Sequence, residues 1–185
     1  MSVLLLYPSN EIVRTWHRFY ALDKGEVELL VAGSSHAYAT FDPAVISRTT
    51  GMNCYLLTSV MSKETARQYA QAEYNPSEWV ISEVNQVYFH KLAQLCQEEG
   101  ILFYVVMAPM YDVYIRSINY DSCTDKIKAL AESEGVLFLD CNLHYDEIGL
   151  TAVDFEDAFN GYHHLNGAGA QKVTEFVMET LFGQS

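Results

Sequence analysis

The sequence predicts one three-layer α/β/α domain with a mainly parallel sheet over residues 1–185, and three observations support this prediction. Short apolar runs alternate with segments of helical periodicity along the chain. The predicted strands are continuously apolar rather than alternating, which is typical of parallel strands covered on both faces. No repeat, low-complexity tract or linker interrupts the sequence, and a length of 185 residues suits a single well-cored domain.

The N-terminal half begins with a helical lead-in over residues 1–25. Capping residues, apolar periodicity and glycine stops then set the order of the elements. We expect a helix at about 9–22, a strand at 27–32, a short helix opened by Asp42 and Pro43 and ended by Gly51, a strand at 53–57 and a polar helix at 59–71.

The C-terminal half contains the most regular helical pattern, which opens near Ser77 and stops at Gly100. A competing interpretation makes 79–84 a strand and starts the helix near Asn85. Strands are predicted at 101–107 and 136–139, and helices at about 121–134 and 167–182. An apolar stripe with spacings of three and four predicts the core face of the helix that opens near Ser77: Val80, Ile81, Val84, Val87, Tyr88, Leu92, Leu95 and Cys96.

Composition restricts the possible binding partners and the cellular compartment of the protein. The formal charge is −13, and the 11 Lys and Arg residues are scattered, which argues against nucleic acid or an anionic membrane surface as a partner. The apolar stretch at 3–7 is too short for a signal peptide or a membrane span, so a cytoplasmic protein is the default expectation. An anchor upstream of this sequence would instead allow a role in the cell envelope. The four cysteines lack close-pair spacing and are expected to be free thiols in a reducing compartment.

Candidate chemistry lies at the ends of the predicted strands. The first strand is followed by Gly33, Ser34, Ser35 and His36, and a His163-His164 pair precedes the last helix. Carboxyl ends of parallel strands share one crevice, where ligands bind. Serine is a weak nucleophile and needs an adjacent base, most often histidine. We therefore expect a serine of this turn to meet one of the two histidines, with backbone N–H groups after Ser35 available to an oxyanion.

This combination resembles the SGNH (GDSL-like) hydrolase superfamily. The likeness lies in Gly33-Ser34-Ser35 followed by His36, and in the His164-Leu165-Asn166 sequence before a Gly-Ala helix start. The branch related to cell-wall and exopolysaccharide O-acyl transfer is the most similar. The resemblance implies a flavodoxin-like sheet, Ser35 as nucleophile, a C-terminal histidine as general base, and ester or acyl-transfer chemistry on a small acyl-ester or carbohydrate substrate without a cofactor or a metal.

The sequence lacks Asp at two positions where the family usually has it, one in the first block and one in the last block. Ser34 stands where the first family block usually has Asp. The last block is Asp, two residues, His, so the Asp place holds Gly161 if His164 is the base and Asn160 if His163 is the base. Asn160 would orient the ring without a counter-charge.

The sequence also has no clear match to the residues that bind the oxyanion in this family. Asn53 and Asn85 are the candidates for the oxyanion asparagine, and Ser34 and His36 are further candidates for lining the site. Nearby carboxylates, Asp154 and Asp157, have spacings that do not match the family block. A catalytically degenerate binding or scaffold protein is therefore the alternative function.

A metal site is the remaining alternative and is not favoured. It would join His163 and His164 to His144, Asp146 or Cys141. Adjacent histidines on an irregular segment seldom face one ion. The sequence specifies no oligomeric state.

Overall fold

The structure is a computed structural model that describes residues 11–58, 79–111, 115, 119–156 and 164–183. It is a mixed α/β fold with short parallel strands. The helix predicted at 59–71 and the start of the predicted Ser77 helix lie outside the described residues. In chain order the elements are α1 (Glu11–Tyr20), β1 (Leu29–Gly33), α2 (Ser35–Thr40), α3 (Pro43–Thr50), β2 (Cys54–Thr58), α4 (Glu83–Glu98), β3 (Tyr104–Met107), α5 (Tyr120–Ser133), β4 (Leu137–Asp140), α6 (Tyr145–Ile148) and α7 (Gly167–Phe182).

Local sequence explains the ends of α3. The Asp42 carboxylate accepts hydrogen bonds from the N–H groups of Ala44 and Val45, and Pro43 occupies the first helical position, where its missing N–H costs nothing. Gly51 ends the helix in the left-handed conformation, with φ of 75°. The predicted bounds of this helix are confirmed. None of the described helices combines the length and the apolar character needed to cross a membrane.

The strands form two parallel pairs. β1 pairs with β2 from Leu29↔Cys54 to Gly33↔Thr58, and β3 pairs with β4 from Tyr104↔Leu137 to Met107↔Asp140. The predicted parallel pairing is therefore confirmed. Among the described residues the two pairs are separate two-stranded units, so the single sheet of a three-layer sandwich stays a prediction.

The main core is built around α7, which has the bounds predicted from sequence. Val173 and Val177 of this helix are fully buried, together with Ile46 of α3. Strand residues from both pairs, including Leu56 and Leu139, pack into the same cluster. Burial of a large aliphatic side chain stabilises a fold by about 1.5–3 kcal/mol, so this cluster holds the two strand pairs and the helices together.

The apolar stripe predicted as the core face of α4 is wrong for most of its members. Val84 and Tyr88 are 63% and 66% exposed, and the stripe residues Val80, Val87, Leu92 and Leu95 are also exposed, whereas Cys96 is buried. A second stripe, Phe89, Ala93 and Cys96, packs instead toward Phe103, Val105 and Phe138. Two apolar faces compete on this helix, and tertiary contact with β3 and β4 selects the smaller one.

The beginning of α4 also differs from both sequence interpretations. Residues 79–82 form no regular element, so the alternative strand at 79–84 is wrong. The Ser82 hydroxyl caps the helix by accepting from the N–H of Asn85 at 3.3 Å. A serine hydroxyl bonded to the third helical N–H is a common N-cap, and this one starts the helix at Glu83.

All four cysteines are free thiols, as the spacing predicts. Burial raises the pKa of Cys54 to about 11 and, with the nearby Asp140 charge, that of Cys141 to about 12. Because the thiolate is the reactive form, these groups stay protonated and unreactive at neutral pH. Their role is packing.

Candidate active site

Ser35 and His164 meet in the structure. Ser35 Oγ lies 3.1 Å from His164 Nε2, although 129 residues separate them in the chain. The distance is within the range of a nucleophile and its general base. With Nε2 unprotonated, the serine hydroxyl donates to it. The contact joins the end of β1 to the segment just before α7.

The turn after β1 fixes the position of Ser35. A Cβ on Gly33 would lie only 2.6 Å from the Cβ of Ala37, so this tight passage from strand to helix needs glycine. The Ser34 hydroxyl caps α2 by accepting from the His36 N–H at 3.4 Å. Ser34 is therefore a capping residue, and its contribution to lining the site stays a prediction. Ser35, the first residue of α2, carries the hydroxyl that faces the histidine.

A short antiparallel bridge holds His164. It joins Phe155 to Leu165, and the Glu156 N–H donates to the His164 carbonyl at 2.8 Å. Leu165 is 3% exposed and packs in the main core. The backbone on both sides of His164 is thus fixed by a hydrogen bond and by a buried side chain.

Asn166 links this bridge to α7, and sequence reasoning missed its role. Its side-chain oxygen accepts from the N–H groups of Ala168 and Gly169, which caps α7. Its side-chain amide donates to the Val153 carbonyl at 2.6 Å, and its backbone N–H donates to the Asp154 carbonyl. An asparagine directly before a Gly-Ala helix start was the available sequence signal.

Thr174 joins α7 to the two helices that follow β1. This side chain is fully buried. Its hydroxyl donates to the Thr40 carbonyl at 3.0 Å and accepts from the Asp42 N–H at 3.2 Å. The helix that follows His164 is thereby tied to the junction that follows Ser35, and this tie helps to keep the two side chains in register.

Asp154 is a structural carboxylate and does not act as the acid of a triad. It is buried and accepts hydrogen bonds from the backbone N–H and hydroxyl of Thr151 and from Lys172 Nζ. Burial alone raises the pKa of Asp154, but the Lys172 and Thr151 hydrogen bonds and the Lys172 charge outweigh burial and hold that pKa below its usual value. The ionised form therefore favours folding.

Asp154→Asn should lower the free energy of unfolding by about 2 kcal/mol at pH 7. Loss of one member of a buried ion pair costs about 3–5 kcal/mol, and the effect is smaller here because Lys172 is 40% exposed. The lowered pKa gives the sign: the stabilisation is present above the unfolded-state value near 3.8 and disappears as the pH falls through the lower folded value. Urea unfolding of both chains at pH 7, 4 and 3 measures the effect.

Glu132→Gln is the matched control. Glu132 pairs with Lys128 at 3.9 Å on an exposed helix face, and such a pair contributes less than about 1 kcal/mol. The control should therefore unfold almost like the unmodified chain at every pH. If Asp154→Asn destabilised the chain equally at pH 7 and pH 3, the ionised pair would not be the source of stability.

Of the remaining predicted site residues, some lie at the Ser35–His164 contact and others lie elsewhere in the structure. The His36 ring packs against the His164 ring with centroids 4.7 Å apart, so His36 lies at the site. Asn53 lies at the amino end of β2, where its N–H donates to Glu28, and the register puts that point at the opposite end of the strand pair from Ser35. The register therefore excludes Asn53 as an oxyanion residue for Ser35. Asn85 lies in the first turn of α4, and its role stays a prediction.

The other two catalytic candidates, His163 and Asn160, lie outside the described residues, as does Gly161. Parts of the alternative metal site are described. The His144 ring packs against Phe176, and its Nδ1 lies 3.1 Å from Glu147 Oε2. Within the described ranges, no three His, Cys, Asp or Glu side chains are grouped so that they could hold a metal ion.

A cavity of about 490 Å³ opens beside Ser35 and His164. Its polar lining residues, beyond these two, include Asn166, Asp42 and Glu156. Sequence reasoning missed Glu156. Among the described residues, no carboxylate is hydrogen-bonded to the His164 ring. The apolar wall includes Tyr38, Ala39, Phe41, Leu56, Leu165 and Ala170.

Comparison with known proteins does not identify a family for this chain. No protein-family model matches this chain, and no curated protein matches it.

Proposed function

We propose that this chain is a serine-dependent esterase or O-acyltransferase of the SGNH type, acting on small acyl esters including those of carbohydrates. The observation that carries the proposal is the 3.1 Å contact between Ser35 Oγ and His164 Nε2. A cavity beside that contact gives a substrate access to it. The acidic chain, with a formal charge of −13, does not suit a nucleic-acid substrate.

The proposed chemistry has two steps. Ser35 Oγ attacks the ester carbonyl carbon while His164 Nε2 takes the hydroxyl proton. The tetrahedral intermediate then expels the alcohol, which leaves with the proton from His164, and the acyl group stays on Ser35. Water, or an acceptor hydroxyl in acyl transfer, attacks the acyl-enzyme by the same route in reverse. The Ser35 backbone N–H is the proposed oxyanion donor.

Among the described residues, the groups that orient His164 do not include a charged acid. The His36 ring, 4.7 Å away and inclined at 55°, restricts rotation of the His164 ring. The bridge between Phe155 and Leu165 fixes its backbone. The described residues supply no carboxylate partner for the His164 imidazolium, which is then less stabilised than in a full triad, and we therefore propose a slow enzyme.

The proposed fold is the flavodoxin-like three-layer sandwich of the SGNH type. Two features support it. β1 and β2 are parallel, with Ser35 directly after β1, and α7 begins three residues after His164. This is the order in which the resemblance places nucleophile and base.

Labelling with a fluorophosphonate tests the proposal. We expect the probe to attach to the intact chain and mass spectrometry to locate the adduct on Ser35. Ser35→Ala should abolish labelling. Ser34→Ala is the matched control, because it removes a neighbouring hydroxyl that only caps α2 and costs at most about 2 kcal/mol. Absence of an adduct at millimolar probe on the folded chain would contradict the proposal.

A non-catalytic binding protein is the second candidate function. It is favoured by the lack of a described carboxylate on the His164 ring. It predicts that Ser35→Ala and His164→Ala leave glycan or partner binding unchanged. Ester turnover that both substitutions remove would exclude it.

A further inference from the structure

The cavity beside Ser35 has an apolar wall with a defined position. Tyr38 and Phe41 belong to α2 and the residue that ends it, Leu56 to β2, and Leu165 and Ala170 to the segment around the start of α7. These side chains line the cavity that opens beside Ser35. An acyl group bound with its carbonyl carbon at Ser35 Oγ would therefore meet hydrocarbon along its chain.

The charges that line the cavity have one sign. The charged residues among the described lining residues are the acidic Asp42 and Glu156, and neither Lys nor Arg occurs among them. A negatively charged acyl group would lie close to these carboxylates without a described cation to offset them. Like charges brought together disfavour binding and reject such a ligand.

We infer that this cavity binds an uncharged aliphatic acyl chain longer than acetyl, and that it rejects acyl groups carrying a carboxylate. The inference rests on the proposed ester chemistry at Ser35 and adds the substrate's acyl class. Each methylene that leaves water for an apolar wall strengthens binding of the transition state by up to about fourfold. The size of the cavity, about 490 Å³, leaves room for such a chain.

Hydrolysis of 4-nitrophenyl esters tests the inference because the leaving group is constant across the series. We expect kcat/KM for the octanoate to exceed that for the acetate by more than tenfold. The hemisuccinate, matched in length to the butyrate, should fall below the butyrate by more than tenfold. The difference in kcat/KM between the butyrate and the hemisuccinate should decrease at high salt, because salt screens the repulsion from Asp42 and Glu156.

Two variants test whether the acyl chain of the substrate lies in the cavity. Ala170→Leu fills the wall and should lower the ratio of octanoate to acetate kcat/KM by more than tenfold. Ala129→Leu, on an exposed position of α5, is the matched control and should preserve the full chain-length preference. Tyr38→Ala, at a side chain that is 61% exposed, removes part of the wall without disturbing the core and should also reduce the octanoate preference.

The outcomes separate this inference from the proposed function. A chain that is labelled at Ser35 and hydrolyses acetate as fast as octanoate overturns the inference alone. Equal turnover of hemisuccinate and butyrate overturns the part of the inference that says the cavity rejects acyl groups carrying a carboxylate. A chain that is neither labelled nor active on any ester overturns the proposed function and this inference together.

Discussion

Replacing Ser35 or His164 by alanine should lower kcat/KM for 4-nitrophenyl acetate by about 10²-fold, and replacing both should lower it no further. The two groups act as one unit through their 3.1 Å contact, so loss of either removes the whole contribution. In serine proteases, loss of the serine or histidine costs about 2 × 10⁶ and loss of the carboxylate alone about 3 × 10⁴. Since no described carboxylate is bonded to His164, we expect the pair to contribute a rate factor on the order of 10².

Initial rates on the two single variants and the double variant measure this coupling. Ser34→Ala is the control for the turn, and it should keep more than a tenth of the activity since its hydroxyl caps α2. Losses that multiply to about 10⁴-fold in the double variant would show that Ser35 and His164 act independently, and the proposed proton transfer between them would be wrong.

Gly169→Ala should lower the free energy of unfolding by about 3 kcal/mol. An added Cβ at this position would lie 2.4 Å from the Asp154 carbonyl oxygen and 2.9 Å from Leu165 Cδ2. The carbonyl cannot move freely because it accepts the Asn166 N–H. Forcing extra volume into a well-packed site typically costs about 1–3 kcal/mol, and the backbone contact puts this site at the upper end.

Gly167→Ala is the matched control in the same helix. A Cβ at Gly167 meets nothing within 4 Å, so this variant should be neutral or more stable by up to about 1 kcal/mol, since alanine restricts the unfolded chain. Urea unfolding at pH 7 compares the two. A Gly169→Ala chain as stable as the unmodified one would mean that α7 and the segment at 152–156 do not approach as closely as described.

Much of the local structure was predictable because its signals are local. The aspartate, proline and glycine at the ends of α3 set its bounds, and the bounds of α7 follow from a helical run that starts at Gly167. Short apolar runs located all four described strands to within about three residues at each end. These features depend on capping and burial within a few residues.

Other features could not be predicted because they depend on contacts between distant segments. The sequence of α4 carries two apolar stripes, and nothing within the helix decides which one packs. Asp154 is near the predicted base in sequence, yet its carboxylate faces Lys172, 18 residues further on. Asn53 was a candidate for the oxyanion asparagine, but the strand direction puts it at the opposite end of the strand pair from Ser35.

The sequence by itself determined that a serine follows the first parallel strand and that a histidine precedes the last helix. Apolar runs, glycine turns and caps specify those positions through neighbouring residues. Only the tertiary structure decided that Ser35 Oγ and His164 Nε2 lie 3.1 Å apart. That distance depends on Thr174, on the bridge at Phe155 and Leu165, and on the close approach at Gly169. Each of these is a contact between segments far apart in the chain, and no local pattern encodes it.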